Sequence, residues 1–240
     1  MKSFLAILLA CVAVHTTSAQ ETNIESTVEG SKMNFEAPIF GVKHRDVKNT
    51  WNLVAINEVV IGLNYMLDTP EGMKPYGLYG TISLTELQYR PGKGGDVFSA
   101  AISYSYCLNY LDKNKAYSSD ASIIDKPESW AKSRRSLRSD WIFGITAGYT
   151  REFKNIKTGI YVNPGFGVTD LTNYYKLKDY PNISRRDFIS KEYNGFRMSF
   201  KTGIWYDCAG VVFEYEPVFG RNSGPIKRYE AFKIGFSIKF

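Results

Sequence analysis

Phe232-Lys233-Ile234-Gly235-Phe236-Ser237-Ile238-Lys239-Phe240 is the stretch on which the reading of this chain turns. Every even position is large and apolar; the odd ones are small or cationic until the chain stops on an aromatic residue. Alternation with period two puts one greasy face and one polar face on a strand. A strand closing a barrel in a membrane has such faces, its apolar side meeting lipid and its polar side the lumen.

Working back from that strand, seven more alternating segments follow the same rule. They are Leu53–Leu67, Tyr76–Tyr89, Val97–Leu111, Asp140–Phe153, Gly159–Thr169, Tyr193–Tyr206 and Val211–Phe219. The third is the cleanest, with Phe98, Ala100, Ile102, Tyr104, Tyr106, Leu108 and Tyr110 set against Ser99, Ser103, Ser105 and Asn109. In the second, Leu78, Ile82 and Leu84 oppose Thr81, Ser83 and Thr85. Each segment is close to the ~9–11 residues a tilted strand needs to cross a bilayer, and several are longer. The fold expected is all-β, a closed antiparallel up-and-down transmembrane barrel of eight strands over residues 53–240. Ten strands is the structural alternative.

The connections support that arrangement. Those around 90–96, 154–158 and 207–210 are short, whereas 112–139 and 170–192 are long and polar. Short turns at one end and long loops at the other are what an outer-membrane barrel with periplasmic termini shows. A secreted β-sandwich also alternates short strands and turns, but it has no reason to put its short turns on one parity.

Composition agrees. Aromatic residues make up 15% of 240, with 17 Tyr and 15 Phe, a load that suits strands and membrane interfaces. Past the N-terminus no apolar run approaches ~18 residues, which excludes transmembrane helices. The mean hydropathy of −0.26 does not exclude a barrel, because half of each strand faces a polar interior. At the N-terminus Lys2, an apolar stretch from Phe4 to Val14 and the small residues Thr17-Ser18-Ala19 read as a signal peptide over residues 1–19. Leu8-Leu9-Ala10-Cys11 also resembles a lipoprotein box, with a very short apolar region before the cysteine. Residues 20–52 are expected to be periplasmic, as a tail, a short plug or an extra pairing segment.

If the apolar faces meet lipid, the lumen can be written out. It holds Glu58, Asn64, Glu152, Arg197, Ser199, Lys201, Trp205, Glu214, Glu216, Lys233 and Lys239. With Cys208-Ala209 as the turn, Lys201 lies opposite Glu216 and Gly203 opposite Glu214. Buried opposite charges must be paired to be tolerated, and an eight-stranded barrel is only wide enough for its own side chains. Arg197, Lys201, Glu214, Glu216, Lys233 and Glu58 therefore read as a packed charge network instead of a channel lining. Cys107 and Cys208 fall near opposite ends, more than ~20 Å apart at ~3.3 Å per residue, beyond disulfide reach. Both are expected to be free thiols.

Catalytic chemistry is scarce. His15 belongs to the signal, leaving His44 as the one other histidine. No Ser-His-Asp set and no metal site can be assembled from it, so no catalytic residue, metal or cofactor is expected. Pro91-Gly92-Lys93-Gly94-Gly95 reads as a turn. The external loops carry a diffuse basic signal instead. Lys132, Arg134, Arg135 and Arg138 cluster before the fourth segment, and Arg185 and Arg186 lie in the next long loop. Such loops can contact lipopolysaccharide phosphates, anionic glycans or a protein ligand. Nucleic acid is a poor partner, since no recognition fold accompanies them.

Over residues 53–240 the pattern resembles the small outer-membrane β-barrel proteins of Gram-negative bacteria, of the OmpA/OmpX type. Phe236, Ile238 and Phe240 on the closing strand resemble the C-terminal signal read by the barrel-assembly machinery. The resemblance implies an outer-membrane location and that machinery as a partner. It implies a non-enzymatic barrel acting through its loops in adhesion, envelope integrity or surface contact. A lipid-modifying barrel enzyme and a narrow porin-like channel are the alternatives.

Overall fold

The computed structural model describes residues 27–28, 31–36, 50–91, 94–133, 136–180, 182–219 and 226–240. Eight long strands carry the fold: β1 Thr50–Met66, β2 Met73–Arg90, β3 Asp96–Leu111, β4 Leu137–Phe153, β5 Ile156–Leu177, β6 Ser184–Tyr206, β7 Ala209–Glu216 and β8 Ala231–Lys239. Each pairs antiparallel with its sequence neighbours, and β8 pairs with β1, so the sheet closes on itself. The closing ladder runs from Ala231 opposite Met66 to Lys239 opposite Glu58.

The barrel is inside out relative to a water-soluble protein. Phe166 is 68% exposed, Ile160 64% and Phe232 52%, whereas Trp205 and Val212 are fully buried with Glu58 and Lys233 beside them. Along β5 the outward apolar belt runs from Ile156 to Phe166. Ten residues at ~3.3 Å each and a tilt of ~40° make it ~25 Å tall, the height of a bilayer-spanning band. Aromatic pairs gather toward its edges: Trp51 with Tyr89 and Phe98 with Tyr149 at the end with short turns, Tyr106 with Trp141 and Tyr215 with Phe232 at the other.

Three local features depart from simple alternation. The β6–β7 turn is Asp207-Cys208, with Tyr206 opposite Ala209. Asp207 takes φ +56°, a left-handed conformation that Asp tolerates and two-residue hairpins require. Moving the turn by one residue moves each partner by two, so Lys201 faces Glu214 and Gly203 faces Val212. The expected pairing of Lys201 with Glu216 is therefore corrected, while the faces stay as expected. In β2, Thr85 adopts φ +49° and the register slips between Leu84 and Leu87. This bulge leaves Leu84 and Thr85 exposed and turns Glu86 and Gln88 inward. Thr85, expected on the lumen face, is thus outside.

The third departure is in the loops. Residues 170–192, expected as loop, are mostly ladder, since β5 and β6 stay paired to Lys176 opposite Ser184. The segment between β3 and β4 folds as well, into the hairpin Lys115–Tyr117 with Ile123–Asp125 and the strand Trp130–Ser133, which adds to the edge of β5. Eight strands, not ten, form the barrel. Residues Ser31–Glu36 supply an extra parallel pairing, Met33 to Glu36 along Trp51 to Val54. The expected signal peptide lies outside the described residues.

Candidate functional site

The lumen is built from glycine–aromatic complementarity. Tyr79, Tyr161 and Trp205 point inward and are buried. Their rings lie where side chains on the neighbouring strands would stand: a Cβ on Gly148 would come 2.1 Å from the Tyr161 ring, and one on Gly210 2.4 Å from Trp205. Trp205 Nε1 donates to Ser237 Oγ at 2.8 Å, which donates to Glu58 Oε1 at 2.5 Å. Lys201 pairs with Glu58 and also lies 4.7 Å from the Tyr161 ring centroid. Lys239 donates to the Tyr161 hydroxyl and sits 4.2 Å over Trp205 and 4.6 Å over Tyr161. Its charge is held by ring faces.

Above this layer runs a chain of alternating sign. Lys233 reaches Glu214 at 2.7 Å and Glu216 at 2.8 Å. Glu216 also pairs with Arg197, which continues to Asp140 at 3.2 Å. Asp140 in turn takes Arg138 through Nε at 2.9 Å and Nη2 at 3.1 Å. Six charges in the order acid, base, acid, base, acid, base sum to zero, and each interior one has opposite neighbours. Burial of any one of them is tolerable only within the set. Toward the short-turn end Arg90 spans to Glu152 at 2.7 Å and 3.2 Å.

The six lumen residues expected from sequence, Lys201, Glu214, Glu216, Lys233, Arg197 and Glu58, are thus brought together. Trp205 stands on the lumen face as expected, whereas Asp140, Glu86, Arg90, Tyr79 and Tyr161 belong with them and were missed. Glu86 carried a signal: a carboxylate at a lipid-facing parity position between Leu84 and Leu87 requires a bulge. Arg138 needs the opposite correction. Expected on an external basic loop, it is 2% exposed, bonded also to the Lys227 carbonyl and lying 5.2 Å over Tyr229. The ladder of β4 with β3 begins at Leu137 opposite Tyr110, so strand parity aims Arg138 into the barrel.

At the end with long loops an apolar plug covers the network. Met66, Met73, Leu111, Tyr117, Leu171, Ile226 and Ala231 form one buried cluster, with Ile189 and Tyr229 packed against it. The hairpin that supplies Tyr117 is tied down by Asn173, which accepts from the Tyr117 amide at 3.0 Å and donates to its carbonyl at 2.7 Å. Burial pushes the Tyr117 phenol up from its ordinary value. Farther out, Trp130 stacks on Tyr175 at 4.0 Å. Side chains thus fill the interior below and the apolar cluster covers it above.

The other basic residues divide. Arg185 and Arg186 are exposed on β6. Lys132 lies on Trp130–Ser133 with Lys176 as its ladder partner. Arg134 and Arg135 lie outside the described residues. On β8, Phe236 is 56% exposed on the outer face, Ile238 and Phe240 are half-buried, and the Phe240 amide donates to the Asn57 carbonyl at 2.8 Å. Cys107 is buried on the lumen face of β3, Cys208 is in the β6–β7 turn, and both are free thiols.

No protein-family model and no curated protein matches the chain. Solved structures of engineered Rhodopseudomonas blastica porins do. One is 9% identical with a TM-score of 0.21, covering 79% of this chain and 100% of its own. A triple mutant of the same porin is 8% identical with the same score and coverage. A likeness this weak carries no argument about the chain.

Proposed function

We propose that the protein is an integral outer-membrane barrel of the small OmpA/OmpX-like kind, non-enzymatic, working through the folded platform that its loops build outside the membrane. The observation that carries this reading is the outward apolar belt, ~25 Å tall, wrapped around a buried charge network. A soluble protein gains nothing by exposing Ile160 and Phe166 while burying Lys233 and Glu214. The belt's height fits a bilayer, and the aromatic pairs at its edges fit headgroup level.

Short turns on one side and folded loops on the other support periplasmic termini. Export through the N-terminal signal and folding by the barrel-assembly machinery, with Phe236, Ile238 and Phe240 as the segment read, belong to the same proposal. The packed lumen and the plug that includes Leu111 and Leu171 favour a rigid support over a channel. Its partners are then outer-membrane lipid, lipopolysaccharide, and a surface glycan or protein that meets the platform.

Membrane fractionation with carbonate and urea washes, followed by gel migration with and without heating, tests the barrel. Retention in the membrane with heat-modifiable migration is expected; release by the washes and solubility without detergent would sink it. Protease added to intact cells should cut between Leu177 and Ser184 and spare the short turns.

A further inference from the structure

Past the apolar belt, β5 and β6 continue as a sheet with two different faces. Tyr174 pairs with Arg186 and Lys176 with Ser184, and Phe188 precedes them as the partner of the buried Thr172. Tyr174, Arg186, Lys176 and Phe188 continue the outward face, where Leu137 is the ladder partner of Thr172. Asn173, Asp187, Tyr175 and Arg185 take the inner face, against Tyr117 and Trp130. Arg186 lies 5.6 Å over Tyr174 and 5.5 Å over Phe188. Among the described residues no carboxylate comes within ion-pair distance of Arg186 or Lys176. The row is therefore cationic and aromatic, aimed away from the barrel axis, with its charge unanswered.

Its height selects the occupant. Tyr174 stands eight residues beyond Phe166 on β5, or ~20 Å along the axis at ~3.3 Å per residue and ~40° tilt. The polar zone of a phospholipid leaflet is only ~5–8 Å deep, so an ordinary headgroup stops short. A lipid carrying a phosphorylated saccharide reaches that level. Guanidinium binds phosphate oxygens in pairs, and the Tyr174 and Phe188 rings offer faces for sugar. The geometry points to this outward row, Arg186 between Tyr174 and Phe188 with Lys176 beyond them, as a site for the phosphorylated saccharide of the surrounding glycolipid. The assignment rests on the outer-membrane reading and adds to it which face meets the ligand.

The test uses full-length protein in phosphatidylcholine bilayers, with purified lipopolysaccharide, the same material stripped of phosphate, and phosphatidylglycerol as probes. The Arg186→Glu, Lys176→Glu double variant should weaken lipopolysaccharide binding about tenfold or more, as two charge-assisted contacts are reversed. Arg185→Glu on the inner face should stay within about twofold of the parent. Stripped lipopolysaccharide should bind the parent no better than intact material binds the double variant. Phosphatidylglycerol should not discriminate between them. Equal binding of intact and stripped material, or an equal loss in Arg185→Glu, would overturn the site. Heat-modifiable migration checks each variant's fold, and Arg186→Gln with Lys176→Gln serves if the reversals misfold. Failure of the parent to float with the vesicles would instead overturn the outer-membrane reading.

Discussion

Lys233 illustrates how single residues govern this barrel. Its ammonium lies between Glu214 and Glu216, and its own side chain is 1% exposed. Lys233→Ala leaves two carboxylates facing each other without their shared cation, so a loss of ~3–5 kcal/mol is expected in urea unfolding from lipid bilayers. Replacing the terminal pair of the chain by apolar residues of similar volume should cost far less, because the four remaining charges still sum to zero, which a Lys233→Met, Glu214→Leu double variant would show. A double variant no more stable than Lys233→Ala would mean that the charges are not mutually compensating. Steric fit can be read the same way at Gly148, where a methyl group would overlap Tyr161. Gly148→Ala is expected to destabilise by ~1–3 kcal/mol through overpacking, with Tyr161→Ala on the neighbouring strand relieving part of that loss. Simple additivity of the two would argue that the ring is not where the structure puts it.

Among the elements, legibility followed the physics of alternation. β3 and β8 alternate without interruption, and their two faces could be assigned directly from residues such as Ile102 and Ser103 or Phe236 and Ser237. β2 could not, because a bulge at Thr85 changes parity through backbone conformation, which composition does not record. Position of the β6–β7 turn depended on one residue, Asp207, whose tolerance for positive φ decides between two registers with identical faces. Arg138 was hidden by a polar neighbourhood that resembled loop, whereas its ladder partner Asn109 shows it to be strand. Extension of β5 and β6 beyond the belt was likewise obscured, since Lys176, Arg185 and Arg186 look like loop residues until they are paired. Deleting residues 173–187 with a short turn in their place should leave a heat-modifiable barrel, because the lumen network lies below Leu171. A deletion that abolishes barrel formation would show instead that the platform is needed for folding.

At the scale of the whole molecule, an eight-stranded wall encloses space for its own side chains and little else. The lumen holds Trp205, Tyr161 and Tyr79 in one layer and the Glu214-to-Arg138 ion chain above it, and Met66, Leu111 and Leu171 close the outer mouth. Planar bilayers containing the protein should show no steady single-channel conductance, and stepwise openings of uniform size would contradict a filled interior. The central claim is that the apolar face meets lipid while the polar face packs inward, and β3 tests it most directly. Nitroxide labels placed one at a time at Ala100, Ile102, Tyr104, Ser103 and Ser105 in reconstituted bilayers would be collided with oxygen and with a water-soluble nickel complex. High oxygen and low nickel accessibility is expected at 100, 102 and 104, with little of either at 103 and 105. Nickel accessibility at Ile102 and Tyr104 comparable to that of an exposed site such as Asp125 would contradict it.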